Sequence, residues 1–259
     1  MIRWLRGPHD PLPDPARALS AASEIPGLVA AGGELTPARL EEAYRKGIFP
    51  WFSEGQPILW WSPDPRMVLL PDEFKLSRSL KKTIRRFLAT PGATIRIDAA
   101  TRRVITSCAT VARDGESGTW IVAEMIDAYA AWHAAGRVHS FETWIDGELA
   151  GGLYGVAIGR MFFGESMFAR RTDASKIALA ALVAFCRAHA IETIDCQQKT
   201  PHLASLGGRE IVHAEFQRRL RAAVAQSDVA DWSYDLRLWE ELGLGAAPPG
   251  SPACEDSRP

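Results

Sequence analysis

The clearest periodic pattern in the chain is an amphipathic stretch over residues 75–88, which predicts a helix. Its five apolar residues fall within one arc when successive residues are rotated by about 100°. The opposite arc contains no acidic residue and six basic ones: Lys75, Arg78, Lys81, Lys82, Arg85 and Arg86. An ordinary solvated face, which is the alternative, usually mixes both signs of charge. The single sign therefore predicts a phosphate-binding helix.

Farther along the chain, from His139 onward, the pattern changes to that of strands. Asp146-Gly147 separates two such stretches and is typical of a tight hairpin turn. An apolar segment rich in Ala and Leu then predicts a helix that begins after Asp173 as its N-cap. The predicted elements are strands 139–145, 148–157 and 161–168, helix 174–188, strand 191–196 and helix 211–225. This order predicts an α+β fold with a mainly antiparallel sheet.

The N-terminal part of the chain differs in composition. Thr36-Pro37 predicts a helix start, with the hydroxyl as N-cap and proline at the first helical position. Residues 48–66 are rich in proline and tryptophan, which predicts a stiff aromatic surface rather than a sheet interior. We therefore place a domain boundary near Pro71. The predicted organisation is a small N-terminal domain at 1–71, a larger domain at 72–244 and a disordered tail at 245–259.

The overall composition is that of a globular chain, with 259 residues, 47% of them hydrophobic, and a net charge of −1. Because the net charge is so small, any nucleic acid must be bound by a local patch. The four cysteines form no C-x-x-C pair, which argues against a zinc site or a disulfide framework and favours the reducing cytoplasm. No signal peptide is evident, and the longest apolar helical segment, 177–186, is too short to span a bilayer.

One carboxylate, Glu165, lies within an apolar strand. A buried, charged and unpaired glutamate costs several kcal/mol, so it needs a compensating partner. That partner is either a cationic ligand or, structurally, one of Arg170, Arg171 and Lys176. A second polar cluster, at 195–198, ends the apolar strand that follows. Two polar clusters at the ends of strands expected to be neighbours predict a functional site.

Within the second cluster, Asp195 and Gln197 alternate along one strand. Their side chains are therefore expected on the same face, about 6–7 Å apart, with Cys196 pointing into the core. In that arrangement both side chains reach one amine. The alternative for Asp195 is a strand-end carboxylate that caps the turn at Thr200.

Six short segments carry a specific resemblance to a known family. They are GGELT at 32–36, GIFPWF at 47–52, WWSPDPR at 60–66, GTWI at 118–121, GESMF at 164–168 and IDCQ at 194–197. In this order they resemble the leucyl/phenylalanyl-tRNA–protein transferase family over about residues 27–220. The resemblance implies a small N-terminal domain joined to a domain like the GCN5-related acyltransferases. It also implies transfer of Leu, Phe and, less efficiently, Met from aminoacyl-tRNA to the N-terminal Arg or Lys of acceptor proteins, which marks them for N-end rule degradation.

The resemblance also implies roles for individual residues. Gln197 contacts the reacting amine and Asp195 polarises it, as a catalytic pair. Glu165, with the adjacent Ser166, binds the cationic end of the acceptor. Trp120 stacks on the terminal adenine of the tRNA, although an aromatic residue of this kind is often simply core. A pocket for the transferred side chain is expected from five apolar residues that are otherwise core: Leu153, Phe162, Met167, Leu179 and Leu182.

The expected chemistry needs no cofactor and no metal. Residues 170–175 lack the glycines with which GCN5-related enzymes hold coenzyme A, so the donor is expected to be aminoacyl-tRNA itself. The ester is already activated, and GESMF lacks the second glycine of a nucleophile elbow, which argues against a serine hydrolase. We expect a monomeric cytoplasmic protein without membrane attachment. Residues 198–202 depart from the family pattern, which leaves the acceptor preference open.

Two other functions remain as alternatives. One is a non-catalytic tRNA-binding module, which has no need of the carboxylates Asp195 and Glu165 near an anionic ligand. The other is a transferase that adds amino acids from aminoacyl-tRNA to cell-wall peptide precursors. The segment at 60–66 argues for the leucyl/phenylalanyl transferase over the latter.

Overall fold

The computed structural model describes residues 2–7, 9–111 and 121–245. The N-terminal part forms a four-stranded sheet in the order β1-β2-β4-β3. Its strands are β1 (Arg3–Leu5), β2 (Leu28–Gly32), β3 (Phe49–Pro50) and β4 (Leu59–Trp61). Helix α1 (Pro37–Arg45) connects β2 to β3 and begins as predicted, because the Thr36 hydroxyl accepts a hydrogen bond from the Arg39 amide.

The rest of the described chain is built around a seven-stranded sheet in the order β11-β5-β10-β9-β8-β7-β6. The strands are β5 (Arg66–Leu69), β6 (Thr94–Ile97), β7 (Val138–Ile145), β8 (Glu148–Ile158), β9 (Met161–Ala169), β10 (Thr193–Gln197) and β11 (Arg209–Ile211). Every neighbouring pair in this sheet is antiparallel except β9 and β10. The predicted α+β class with a mainly antiparallel sheet is therefore confirmed.

Helices cover both faces of the larger sheet. They are α2 (Arg78–Leu88), α3 (Thr101–Thr110), α4 (Ala123–Ala134), α5 (Ala174–Ala188), α6 (Pro201–Ser205) and α7 (His213–Val224), with 3₁₀ turns at Pro15–Arg17, Pro71–Glu73 and Leu236–Leu242. Apolar residues of α1, α3, α4 and α7 form one core cluster with the sheet. Those of α2 and α5 form a second cluster on the other face. None of the helices in the described ranges is long and apolar enough to cross a membrane.

The chain passes from the small sheet to the large one before the position predicted for the domain boundary. We placed the boundary near Pro71, but β5, which precedes Pro71, pairs with β10 and β11 in the larger sheet. The change of sheet therefore falls between Trp61 and Arg66. Trp60 also differs from its prediction as a surface residue, because it is fully buried and donates a hydrogen bond to the Gly32 carbonyl. The predicted tail lies, apart from Gly245, outside the described residues.

Helix α5 has the predicted bounds but not the predicted cap. Asp173 adopts a left-handed conformation with φ of 62°, and its side chain makes no capping hydrogen bond. Its carboxylate instead accepts a hydrogen bond from Lys176 at 2.8 Å. The helix is almost wholly buried, as its Ala- and Leu-rich sequence requires.

Candidate active site

Two β-bulges in neighbouring strands determine where the polar side chains lie. On β9, Ser166 pairs with Tyr154 and Gly164 pairs with Gly155, so Glu165 is an extra residue. On β10, the register shifts in the same way between Asp195 and Gln197, which leaves Cys196 extra. The parallel pairing of β9 and β10 extends as far as Phe163 and Asp195, just before both bulges. Each strand thus has a bulge at its polar cluster, a position typical of functional sites.

The bulge on β10 overturns the expected alternation of Asp195 and Gln197. Gln197 has a left-handed backbone with φ of 62°, so the strand period of two ends before it. Gln197 and Cys196 both line a cavity, whereas Asp195 does not. The bulge thus brings Cys196, which was expected only in the core, to the cavity wall as well. Asp195 stays close enough to Glu165 to raise the pKa of that carboxyl group, but it does not line the cavity.

Asp195 is instead paired with Arg66 from β5. The Arg66 Nε and Nη2 atoms donate to the two carboxylate oxygens at 2.8 and 2.6 Å, and both side chains are buried. Asp195 Oδ1 also accepts a hydrogen bond from the Gln197 amide at 2.9 Å. The alternative of a cap on the turn at Thr200 does not hold either, because the Thr200 hydroxyl itself caps α6 through the Leu203 amide.

Glu165 is surrounded by hydrogen-bond donors. Its carboxylate accepts from the hydroxyl groups of Tyr44 at 2.6 Å and Tyr129 at 3.3 Å, and from Gln197 Nε2 at 3.0 Å. The two tyrosine hydroxyls are also 2.5 Å apart. The pKa of Glu165 is raised to about 8, chiefly by burial and to a smaller extent by the nearby Asp195, against the opposing effect of the Tyr44 hydrogen bond.

The structural partners proposed for Glu165 are not its partners. Arg170 donates to Ser107, while Arg171 and Lys176 pair with the acidic side chains of Asp146 and Asp173. Within the described ranges, no cation forms an ion pair with the Glu165 carboxylate. The position is thus open to a cationic ligand, the other alternative that the sequence left.

The cavity next to Glu165 and Gln197 has a volume of about 490 Å³. Its walls are mostly apolar, and Glu165, Ser166 and Gln197 contribute polar atoms. The apolar lining residues include Leu153, Met167, Leu179, Leu182, Ile194, Leu203 and the N-terminal Phe49 and Trp51. A concave apolar site of this size with few polar groups is typical of sites that bind small molecules or side chains.

Besides Asp195, two of the residues predicted for the site are not seen in the cavity. Phe162 does not line it, because it is fully buried and packs edge-on against Phe141 and beside Trp232. This position corrects its assignment to the pocket. Trp120 lies outside the described residues.

Several other residues of the site carry little signal in the sequence. Tyr44 lies on the buried face of α1, where the sequence pattern indicates packing and no partner for its hydroxyl. Tyr129 on α4 was not identified at all. A buried tyrosine hydroxyl normally has a hydrogen-bond partner, which is the one available signal that these residues approach a polar group. Arg66 and Trp51 lie in segments chosen for their resemblance, but neither was predicted to be near Glu165.

The six basic residues of the predicted phosphate-binding helix lie on and just before α2. Leu80, Ile84 and Phe87 of this helix are buried, and Ser77 is its N-cap. Five of the six basic side chains are exposed, and Lys81 is half-buried. Where the chain is described, no acidic side chain forms an ion pair with any of them. Helix α2 packs against α5, which carries Leu179 and Leu182 of the cavity.

Comparison with known proteins identifies relatives across almost the whole chain. The family model for leucyl/phenylalanyl-tRNA protein transferase matches residues 68–221, and the model for the N-terminal domain of that family matches residues 33–64. The leucyl/phenylalanyl-tRNA–protein transferase of Methylibium petroleiphilum is 61% identical over 96% of this chain and 94% of its own. Those of Leptothrix cholodnii and Burkholderia multivorans are 60% and 56% identical, each over 98% of this chain and over 99% and 98% of their own.

Similarity to solved structures is much lower. A conserved protein of unknown function from Bacteroides thetaiotaomicron gives a TM-score of 0.34 at 14% identity, over 61% of this chain and 55% of its own. L-PGS from Bacillus licheniformis gives a TM-score of 0.33 at 11% identity, over 68% of this chain and 57% of its own. Similarity at this level carries no argument about the site.

Proposed function

Because the chain belongs to the leucyl/phenylalanyl-tRNA–protein transferase family, we propose that the cavity beside Glu165 and Gln197 is its aminoacyl-transfer site. The protein is an aminoacyltransferase with aminoacyl-tRNA as donor and proteins as acceptors. In our proposal it transfers Leu, Phe and, less efficiently, Met to an N-terminal Arg or Lys, which marks the acceptor for N-end rule degradation. We place this activity in the cytoplasm and assign it to a monomer.

The transferred side chain occupies the apolar part of the cavity. Leu153, Met167, Leu179 and Leu182 surround a space lined mainly by aliphatic atoms. Such a surface favours leucine and phenylalanine over alanine, because each methylene lost costs about 1–3 kcal/mol. The same argument gives only weak discrimination against methionine, whose length and polarity are close to those of leucine.

The acceptor is recognised through Glu165. Its buried carboxylate has three hydrogen-bond donors, and no cation among the described residues forms an ion pair with it. A guanidinium or ammonium group from the first acceptor residue supplies the missing positive charge and favours the ionised carboxylate. The observation that carries the proposal is this unpaired carboxyl group at the polar end of an apolar cavity.

Gln197 is the residue proposed to contact the reacting amine. Its Nε2 donates to Glu165, so its Oε1 remains to accept a hydrogen bond from the amine. The neutral amine nitrogen attacks the ester carbonyl carbon, the bond to the ribose 3′-oxygen breaks, and that oxygen takes up the proton that the amine loses. Asp195 does not touch the cavity, so in our proposal it acts through Gln197 rather than on the amine.

The tRNA is held through its phosphates by Lys75, Lys82, Arg85 and the other basic residues of α2. This assignment is supported by their exposure and by the absence of acidic partners for them among the described residues. Trp120 keeps its proposed role as a stacking surface for the terminal adenine.

The test is a transfer assay with labelled Leu-, Phe-, Met- and Ala-tRNA and peptides that differ only in their first residue. We expect transfer of Leu and Phe to peptides that begin with Arg or Lys, weaker transfer of Met, and none to the same peptides acetylated at the α-amine. Glu165→Gln should raise the KM for the peptide and leave tRNA binding unchanged. Glu148→Gln, an exposed position at the start of β8, is the matched control. Equal use of acetylated peptides, or no transfer at all, contradicts the proposal.

A further inference from the structure

The guanidinium group of Arg66 is held on three sides by different elements. Asp195 of β10 binds it through two hydrogen bonds. The aromatic rings of Phe49, from the N-terminal sheet, and Phe216, from α7, lie 4.8 and 4.5 Å from the guanidinium carbon. Arg66 is only 1% exposed. Its position is therefore fixed by charge, by hydrogen-bond geometry and by two cation–π contacts.

A short chain of contacts connects Arg66 to the cavity. The carboxylate that Arg66 holds also accepts a hydrogen bond from the Gln197 backbone amide at 2.9 Å. Gln197 needs this support, because its left-handed backbone is unfavourable for a residue with a side chain. From that backbone the Gln197 side chain reaches Glu165 at 3.0 Å. A shift of the Asp195 carboxylate thus moves the backbone amide of Gln197 and, with it, the Gln197 side chain.

We propose that Arg66 is a positioning residue for aminoacyl transfer. By holding Asp195, it fixes the Gln197 backbone amide and, through it, the position of the Gln197 side chain. This inference rests on the transfer function proposed above. Arg66 does not touch the substrates, since it does not line the cavity. Because Phe49 and Phe216 hold it, the reaction also depends on how the N-terminal sheet and α7 pack around β5.

Stability alone does not account for this ion pair. Burying two charges costs about as much as their attraction returns, and a well-packed apolar pair is often as stable. Arg66 also has an Nη1 atom that is buried and without a hydrogen-bond partner among the described residues, which is a further cost. A bidentate pair has one property that an apolar pair lacks, namely a fixed direction for the carboxylate.

Two variants separate positioning from stability. Arg66→Lys keeps the positive charge but not the planar fork that binds both carboxylate oxygens. Arg66→Met combined with Asp195→Leu replaces the pair by apolar side chains, which spares the fold an unpaired buried charge. Arg209→Lys is the matched control, because this arginine forms an exposed bidentate pair with Glu73.

For Arg66→Lys we expect a fall in kcat of about 10- to 100-fold, the effect of a displacement near 1 Å, with the KM for leucyl-tRNA unchanged. The pH dependence of the peptide KM should also stay as it is, because the charge near Glu165 is kept. The double variant should unfold at a temperature close to that of the wild type and still show the reduced kcat. In both variants the side-chain amide resonance of Gln197 should shift, a readout that does not depend on activity.

Wild-type kcat in either variant overturns the proposal. The proposal is also overturned if kcat falls only in proportion to the amount of folded protein and the Gln197 side-chain resonance does not shift. A failure of the proposed function is distinguishable, because the wild-type enzyme itself then transfers no leucine to the Arg-peptide.

Discussion

At the scale of single residues, Glu165 shows a conflict between folding and binding. The fold buries this carboxyl group among hydrogen-bond donors, and within the described residues no cation forms an ion pair with it. Burial raises its pKa from 4.5 to about 8, so the free folded protein favours the protonated form. The folded state then binds a proton that the unfolded state has lost, and stability falls as pH rises between these two values.

Glu165→Gln should therefore stabilise the protein more at high pH than at low pH. The difference in unfolding free energy between variant and wild type should grow from pH 5 to pH 8 and then level off, reaching on the order of a few kcal/mol. Thermal unfolding across this pH range measures it. A constant offset from altered hydrogen bonds does not change with pH, and Glu148→Gln controls for the loss of one surface charge. A difference that stays flat with pH contradicts the raised pKa.

At the scale of elements, the bulge in β10 gives the site its shape at a cost in backbone energy. Cys196 is the extra residue, and Gln197 is left with a positive φ. Glycine adopts this conformation without a steric penalty, whereas alanine does not. The cost of the bulge can thus be separated from the role of the glutamine side chain.

Gln197→Gly is expected to be more stable than Gln197→Ala by about 0.5–1 kcal/mol, because only alanine retains the left-handed strain. Urea unfolding of the two variants gives this difference. Both variants should lose most of the transfer rate, since neither has an amide to contact the amine. An alanine variant as stable as the glycine variant shows that position 197 is not strained.

Helix α2 is the second element whose role can be tested. Reversing Lys81 and Arg85 to Glu should raise the KM for aminoacyl-tRNA and make the salt dependence of binding shallower by about two units of log K against log salt. The matched control reverses Arg218 and Arg221, two exposed arginines of α7 on the opposite face of the sheet. Filter binding at several salt concentrations compares the two. Equal behaviour of both variants means that α2 is only a solvated face.

At the scale of the whole molecule, the loop before α5 differs from the loop with which GCN5-related enzymes hold coenzyme A. The loop before α5 has no glycine, and its Arg170 and Arg171 amides both donate to the Ala150 carbonyl at 2.8 and 3.1 Å. These amides are not free to bind a pyrophosphate group. Calorimetry with coenzyme A at high micromolar concentration should show no binding. Tight binding would place the protein among ordinary acetyltransferases.

The sequence predicted much of the fold because its patterns are local. The hairpin at Asp146-Gly147 and the bounds of α5 follow from residues close together in the chain. The bulges do not, because a bulge is a mismatch between paired strands and neither strand shows it alone. The contact of Arg66 with Asp195 joins residues 129 positions apart. Because strand alternation does not reveal this contact, the sequence predicts that Asp195 faces the substrate, whereas its carboxylate is paired with Arg66.

The same limit applies to the function. The two alternatives, a tRNA-binding module without catalysis and a transferase for cell-wall peptides, are not favoured by any of the comparisons. The Tyr44 and Tyr129 hydroxyls reach Glu165 from helices 121 and 36 positions away in the chain. Such contacts depend on the packing of whole layers, so only the structure shows that this carboxyl group has polar neighbours and, in the part of the chain that is described, no ion-pair partner.

If the basic face of α2 holds tRNA by its phosphates, as we propose, the tRNAs of the cell compete for it. A surface that recognises phosphates binds every tRNA in the cell in the same way, whatever amino acid it carries and whether or not it carries one. The other tRNAs and the released product therefore act as competitors for the same surface. Selection of the right donor is left to the apolar cavity, and the occupancy of the enzyme by leucyl- or phenylalanyl-tRNA depends on how much of the cellular pool these species make up.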